Sequence, residues 1–417
     1  MERRRVVITG IGSINPLAHT MAETWSRLKA GASGVTRISR FDPAEFGLET
    51  HIAGEVKGFA AADYMDVGAA RRTDRFTHLA VAAAAEALRE SGLVVDAGNR
   101  DRIGVLFASG MGGLQTFMEQ EHARRRGGPT RVSPLAVPML LPSAAAGGIG
   151  RQFGLRGMGV AVASACASSN DAIGMALAAI QLGWADAVVT GGAEALVSPL
   201  AIAGFNQAGA LATRFNETPE RASRPFDKDR DGFVMSEMGT ALVLETLENA
   251  RRRGAPIWAE LAGYGASMDA FHITAPAPDG NGAVRAMRAA LEIAGIPPEE
   301  VDYISAHGTS TPINDPIETR AVKTVFGERA YRLPISSIKS MVGHSAGGCG
   351  ALEAAALALS IAEGVVPPTI NLETADPECD LDYVPNVGRA VEIRAGLSNV
   401  FGFGGHNSCV VLRRVED

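Results

Sequence analysis

Positive charge, cysteine pairs, aromatic residues and long apolar runs are all scarce in this sequence, and each shortage excludes something. Lys and Arg number 39 against 46 Asp and Glu, a formal net charge of −7. General affinity for nucleic acid or for anionic membranes needs a cationic surface, so neither is an expected partner, although a local basic patch is allowed. The four cysteines (Cys166, Cys349, Cys379 and Cys409) are widely spaced and form no Cys-x-x-Cys pair. A zinc site or a disulfide framework is not expected from them, and a reducing cytoplasm fits. The apolar run behind Met-Glu-Arg-Arg-Arg stops at Gly10, too short for a signal-peptide core or a membrane span. The longest later apolar stretch, Ala351 to Ala362, contains Glu353 and reads as a buried helix. A soluble chain is expected. Aromatics make up only 6 %, whereas glycine is abundant at 48 residues, which predicts tight turns and close backbone contacts.

A chain of 417 residues suggests two or three domain-sized units. Strand-like β-branched and apolar runs are spaced along it: Val6 to Thr9, Ile103 to Phe107, Val160 to Ala163, Ala185 to Thr190, Ile257 to Tyr264, Val301 to Ser305, Ile335 to Ile338 and Val410 to Arg413. Helical spacing covers Met21 to Ala30, Arg75 to Ser91, the small-residue stretch through about Leu182, and Gly282 to Ala294. Strands alternating with helices predict an α/β fold with mostly parallel sheets. In each half, a strand delivers a reactive residue at its C-terminal end. Duplication of one α/β unit is therefore expected, with halves 1–254 and 255–417.

Three such residues stand out. Cys166 lies in Ser164-Ala-Cys-Ala-Ser-Ser-Asn170, after a strand and before a helix. Unpaired N–H groups and the helix dipole there are expected to stabilise a thiolate. A lone cysteine is more often a small buried hydrophobe, so the partners decide. His307 follows a strand in Ala-His-Gly-Thr-Ser-Thr-Pro, and His344 follows another in Lys-Ser-Met-Val-Gly-His. Open α/β sheets place ligands at such strand ends, so the three residues point to one crevice. Neutral imidazoles there can donate hydrogen bonds to a developing enolate or oxyanion. Lys339, five residues before His344, needs a carboxylate if buried, and Glu353 is the candidate. The loop Gly402-Phe-Gly-Gly-His-Asn407 lacks the following helix and lysine of a phosphate loop, and Gly10-Ile-Gly12 lacks the third glycine of a dinucleotide fingerprint.

Six motifs occur in order: Ala165-Cys166-Ala-Ser-Ser-Asn, Gly191-Gly-Ala-Glu194-Ala, Ser223-Arg-Pro-Phe-Asp-Lys-Asp-Arg-Asp-Gly-Phe-Val234, His307-Gly-Thr-Ser-Thr-Pro312, Lys339-Ser-Met-Val-Gly-His344 and Phe401-Gly-Phe-Gly-Gly405. Over essentially its whole length the chain resembles the elongating β-ketoacyl-acyl-carrier-protein synthases of type II fatty-acid and polyketide synthesis. The resemblance implies a thiolase-type fold of two α/β halves in five αβαβα layers. It implies that Cys166 takes an acyl group from carrier-bound phosphopantetheine, and that His307 and His344 assist decarboxylation of malonyl-carrier protein and hold the enolate oxygen. It further implies an oxyanion hole from the backbone N–H groups of Cys166 and Phe403, with Phe403 gating the acyl pocket. Thr309 and Thr311 match pantetheine contacts. Phe401, Met111 and Ala136 match substrate-lining positions, and Lys339 paired with Glu353 orients the site. Arg71 and Arg72 match carrier-docking positions, with Arg214 a further candidate. No metal or bound organic cofactor is implied. The partners implied are acyl carrier protein and either a second copy or a chain-length-factor homologue.

Three departures from the family pattern shape expectation. Ser236-Glu-Met-Gly-Thr240 replaces a run richer in glycine, which puts side chains near the site entrance. Ser133-Pro is followed by Leu135 and Ala136 in place of two aromatics, which predicts a roomier pocket. Ser345 after His344 resembles polyketide ketosynthases. The expectation is a ketosynthase of a type II polyketide or specialised fatty-acid pathway, with housekeeping fatty-acid elongation as the alternative. A thiolase is remote, because neither Cys379 nor Cys409 has a thiolase setting.

Overall fold

The computed structural model describes residues 3–416. Each half of the chain follows the order βαβαβαββ. The first half contains β1 (Val6–Ile14), α1 (Arg75–Ser91), β2 (Ile103–Ala108), α2 (Ala144–Phe153), β3 (Gly159–Val162), α3 (Ser168–Gln181), β4 (Ala187–Ala195) and β5 (Glu237–Thr246). The second contains β6 (Ala259–Met268), α4 (Asn281–Ala294), β7 (Tyr303–Ser305), α5 (Asn314–Phe326), β8 (Ile335–Ser336), α6 (Cys349–Glu363), β9 (Ala395–Gly402) and β10 (His406–Arg413). Across the ten-stranded sheet the order is β8-β7-β9-β10-β6-β1-β5-β4-β2-β3. Numbered within its own half, each set of five has the order 3-2-4-5-1. The first strands of the two halves meet antiparallel over Val7–Glu260 and Ile8–Ala259.

The layers follow from which helices touch which strands. Helix α1 packs on β1, β5 and β4, and α4 packs on β6 and β10, so these lie outside. Helices α3 and α6 pack on each other and on strands of both halves, so they form the central layer of the five. Helix α6 is buried almost throughout, as its apolar run suggested. Among the described residues, the one helical stretch long and apolar enough to cross a bilayer, 346–363, is 83 % buried inside this fold.

The sheets differ from expectation in one respect. In each half only the pairings among strands two, three and four are parallel, and strand five pairs antiparallel with both neighbours. The strands β5 and β9 escaped the sequence reading because glycines and polar residues interrupt them.

The glycines of β1 are also not turns. The strand runs through Gly10 and Gly12 to Ile14, and a Cβ at either position would come within about 2 Å of the α1 carbonyls of Ala87 and Ala83. Gly263 and Gly265 of β6 face α4 in the same way, against the carbonyls of Ala290 and Ala286. Glycine here lets a helix backbone approach a strand, and the same device in both halves is a trace of duplication. Helix α1 runs over the residues its spacing predicted. Asp74 caps it by accepting from the Phe76 N–H, and Gly92 closes it in the left-handed region.

The Ser236–Thr240 departure falls in and beside β5, not in an entrance loop. The Ser236 N–H donates to the His344 carbonyl at 3.0 Å, and the Thr240 hydroxyl is 2.9 Å from that of Ser13. Glu237 is buried and takes hydrogen bonds from Arg75 and Arg40.

Candidate active site

Duplication puts equivalent junctions side by side. Cys166 lies in the β3–α3 connection, Lys339 and His344 in the matching β8–α6 connection, and His307 between β7 and α5. Cys166 and His307, 141 positions apart, follow strands near opposite edges of the ten-stranded order, and they reach one crevice because the two halves pack on each other through α3 and α6.

The turn carrying Cys166 is strained. Ala165 has φ 51°, left-handed for a residue with a side chain. Local polar contacts hold it. The Ser168 hydroxyl donates to the Ala165 carbonyl at 2.5 Å and accepts from the Ser164 N–H at 2.8 Å. The Ser164 hydroxyl bonds Asp171, whose other oxygen accepts from Tyr264 of β6 at 2.9 Å. Gly402 closes the other side. A Cβ there would lie 3.0 Å from the Cys166 nitrogen, so only glycine lets β9 pass this close.

The thiol faces His344, with Nε2 3.1 Å from Sγ, and the Phe403 backbone N–H beside it favours the thiolate. The two imidazoles meet edge to face, their centroids 5.4 Å apart, and Phe401 packs on His307 at 5.7 Å. Phe233 packs edge-on against His344. Lys339 is fully buried and bonds Glu353, equally buried. Its ammonium also donates to the His307 carbonyl at 2.7 Å and lies 3.3 Å from His307 Nδ1. An ammonium has no lone pair, so Nδ1 must accept, and the neutral ring then carries its proton on Nε2.

Burial, reinforced by the Lys339 charge, holds both histidines well below their ordinary pKa, so both are neutral near pH 7. Burial alone would lower Lys339, but Glu353 beside it keeps the ammonium above its usual value. For Cys166 the expectation of a stabilised thiolate is corrected. Burial pushes the thiol up to about 11, against the opposing pull of Lys339 and the Phe403 N–H. The helix-end effect is worth about 0.3–1 kcal/mol and fades within one turn, less than the desolvation it opposes. Cys166 also precedes the first helical residue, Ser168, by two positions. Alkylation of the free protein by iodoacetamide should therefore quicken about tenfold per pH unit from pH 7 to 10, following the thiolate fraction. A plateau near pH 8 in the rate–pH profile would contradict this.

The other sequence-selected residues lie at varying distances from this centre. Thr309 and Thr311 follow His307, their hydroxyls 2.9 Å apart. Met111 is half exposed, its N–H directed at Glu194 at 3.3 Å. Ala136 begins a short helix, Ala136–Leu140, packed on the Gly112–Gly113 turn that follows Met111. Arg71 and Arg72 are exposed and have no ion-pair partner among the described residues, whereas Arg214 is engaged by Asp231 and the Asp229 carbonyl. In the run Arg124–Arg126, Arg124 and Arg125 are both tied to Glu121.

Three carboxylates that organise the site went unassigned in the sequence. Glu318 accepts from the His307 and Gly308 N–H groups at 2.8 and 2.7 Å, and Asp315 accepts from the Thr309 N–H at 3.1 Å. Glu194 gathers the Ser109 hydroxyl and the N–H groups of Gly110, Met111 and Gly347, which joins both halves beneath the thiol. Burial raises Glu194 and Glu318 to about 7 despite these donors. The available signal was spacing: Asp315 and Glu318 fall on the first turns of the helix after the His307 motif, where free N–H groups gather.

A partly exposed thiol, two neutral imidazoles with one N–H aimed inward, and backbone N–H groups at the sulfur suit acyl transfer followed by attack of an enolate. Comparisons with known proteins agree. The model of the β-ketoacyl synthase N-terminal domain matches residues 3–250, and that of the C-terminal domain matches 258–373. The 3-oxoacyl-[acyl-carrier-protein] synthase 2 of Synechocystis sp. is 48 % identical over 416 residues, covering 100 % of this chain and 99 % of the relative. Among solved structures, a type II polyketide acyl-carrier protein in complex with its ketosynthase bound to the hexaketide superposes with TM-score 0.93 at 35 % identity, over 100 % of both chains. The ishigamide ketosynthase/chain length factor gives 0.92 at 35 %, also over 100 % of both.

Proposed function

The chain belongs to the β-ketoacyl synthase family and is a 3-oxoacyl-[acyl-carrier-protein] synthase, and on that premise we propose how its residues divide the reaction. Cys166 Sγ attacks the thioester of a carrier-bound acyl group. The sulfur–carbonyl bond forms, and the pantetheine thiol leaves with the proton the cysteine gives up. Malonyl thioester then enters. Its carboxylate departs as carbon dioxide, and the electron pair left behind is held as an enolate by His307 Nε2–H and His344. The enolate carbon attacks the Cys166 thioester, and the tetrahedral oxyanion is received by the N–H groups of Cys166 and Phe403. Collapse releases the β-ketoacyl product and the Cys166 thiolate, which takes up a proton from solvent. Covalent capture splits one difficult step in two, and loss of carbon dioxide generates the nucleophile without a strong base. The observation that carries this reading is the 3.1 Å approach of His344 Nε2 to the Cys166 sulfur.

The same proposal includes no resident metal or cofactor, since the pantetheine arrives on the carrier. The exposed, unpaired guanidiniums of Arg71 and Arg72 support docking of an acidic carrier protein on this chain of net charge −7. Four free thiols fit the cytoplasm. The edge strand β3 has an open side, and Met111, Phe117, Val137 and Leu141 expose apolar surface. Together these support a dimer, either of two copies or with a chain-length-factor homologue.

For the pathway, the 48 % identity to a synthase 2 favours fatty-acid elongation. Leu135 and Ala136 in place of aromatics, and Ser345 after His344, favour a polyketide or specialised chain. Purified protein given malonyl-carrier protein and a series of saturated acyl-carrier proteins decides. Extension by the protein alone is the fatty-acid result. Activity only with a co-expressed homologue is the polyketide result. No condensation in either case defeats the assignment.

A further inference from the structure

At the end of the sheet opposite the thiol is an open cleft of about 1180 Å³ lined by Arg3, Arg4, Arg5, Arg251, Arg252 and Arg253. Its lining also holds two carboxylates, Asp186 and Glu248, and with Glu260 and Glu245 bonded to Arg5 and Arg253 the six arginines face four carboxylates. The chain as a whole carries −7, so this concentration is not a by-product of general basicity. Two of the arginines are fixed from behind: Arg5 bonds the buried Glu260, and Arg253 bonds the buried Glu245. Asp186 is already bound by two nitrogens of Arg102 at 2.9 and 3.1 Å, and Arg4 is 3.9 Å from it. Arg251 meets only the Glu416 carbonyl, and Arg252 the Asn249 side-chain amide. Among the described residues, Arg3, Arg4, Arg251 and Arg252 thus have no carboxylate within 3.5 Å.

Arg3, Arg251 and Arg252, which have no carboxylate within 4.0 Å among the described residues, and Arg4, which only shares Asp186 with Arg102, repel one another, and a bound anion would relieve that repulsion. We infer that this cleft is a binding site for a compact polyphosphate, such as the phosphate chain of a nucleotide or of an inorganic polyphosphate. Planar guanidinium forks match phosphate oxygens in pairs, and a concave site on an acidic protein admits a small anion more readily than a flat anionic surface. The cleft takes no part in condensation. It lies where β1, β2 and β4 begin, whereas Glu194, seven residues into β4, sits beneath the thiol. That separation is about 23 Å along the strand.

Calorimetric titration of the full-length protein with inorganic tripolyphosphate, with ATP and with a short polyglutamate peptide tests this. Saturable one-site binding of tripolyphosphate is expected, weakened by raised salt as exposed charges require. Arg251→Gln/Arg252→Gln should weaken it by about tenfold. The charge-matched pair Arg124→Gln/Arg125→Gln, on another surface, should leave it unchanged. Condensation activity should be unaltered in both double variants, and Arg4→Gln gives an independent third variant. ATP binding more tightly than tripolyphosphate assigns the site to a nucleotide, and equal binding assigns it to the phosphate chain alone. Absence of saturable binding, equal loss in both double variants, or tighter binding of polyglutamate overturns the inference.

Discussion

Cys166→Ala protein is expected to acquire no acyl group from acyl-carrier protein and to lose condensation by at least about 10³-fold, because no other nucleophile shares the crevice. Cys349 is nearby, but its sulfur donates to the Ala346 carbonyl at 3.1 Å and burial holds that thiol well above its ordinary pKa, so it cannot substitute. His307→Ala should behave differently. Its ring makes no hydrogen bond to the sulfur, whereas His344 does, so the acyl-enzyme should still form and be visible by intact-mass spectrometry. Release of carbon dioxide from malonyl-carrier protein should fall by about 10²–10³-fold, the cost of removing one preorganised donor to a developing oxyanion. Equal acyl loading in wild type and Cys166→Ala would sink the assignment of the nucleophile.

Breaking the Lys339–Glu353 pair should have the largest effect on stability. Both side chains are 1 % exposed. Lys339→Ala leaves Glu353 buried without its cation, and Glu353→Ala leaves the ammonium buried without its anion. Each should cost about 3–5 kcal/mol in urea unfolding. The double variant Lys339→Met/Glu353→Leu replaces both charges with apolar volume and should recover most of that stability. It should not recover decarboxylation, because His307 Nδ1 then lacks the donor that fixes its proton on Nε2. A double variant that decarboxylates like wild type would show that the lysine serves packing alone.

Much of this was legible in the sequence because it is written locally. The β-branched run of β1, the capped helix α1 and the small-residue turn at Cys166 each depend on neighbours in sequence. Parts that depend on distant partners were not. Gly10 and Gly12 looked like the end of a strand, and only α1 lying against them shows why they are glycine. The strands β5 and β9 lack continuous apolar character, and each is held in its sheet by a partner remote in sequence, β1 for β5 and β7 for β9. Glu194 stood in a recognised motif without a role until Gly110 and Gly347 closed around it.

The sequence by itself determined the residue chemistry: which cysteine, which histidines, and their places at strand ends in a twice-used α/β unit. Only the tertiary structure decided their ionisation and direction. Hydrogen bonds at the ends of elements are short-range and leave local signals, whereas desolvation is a sum over everything packed around a group. The burial that keeps the Cys166 thiol protonated and the two imidazoles neutral therefore exists only once both halves have closed on α3 and α6.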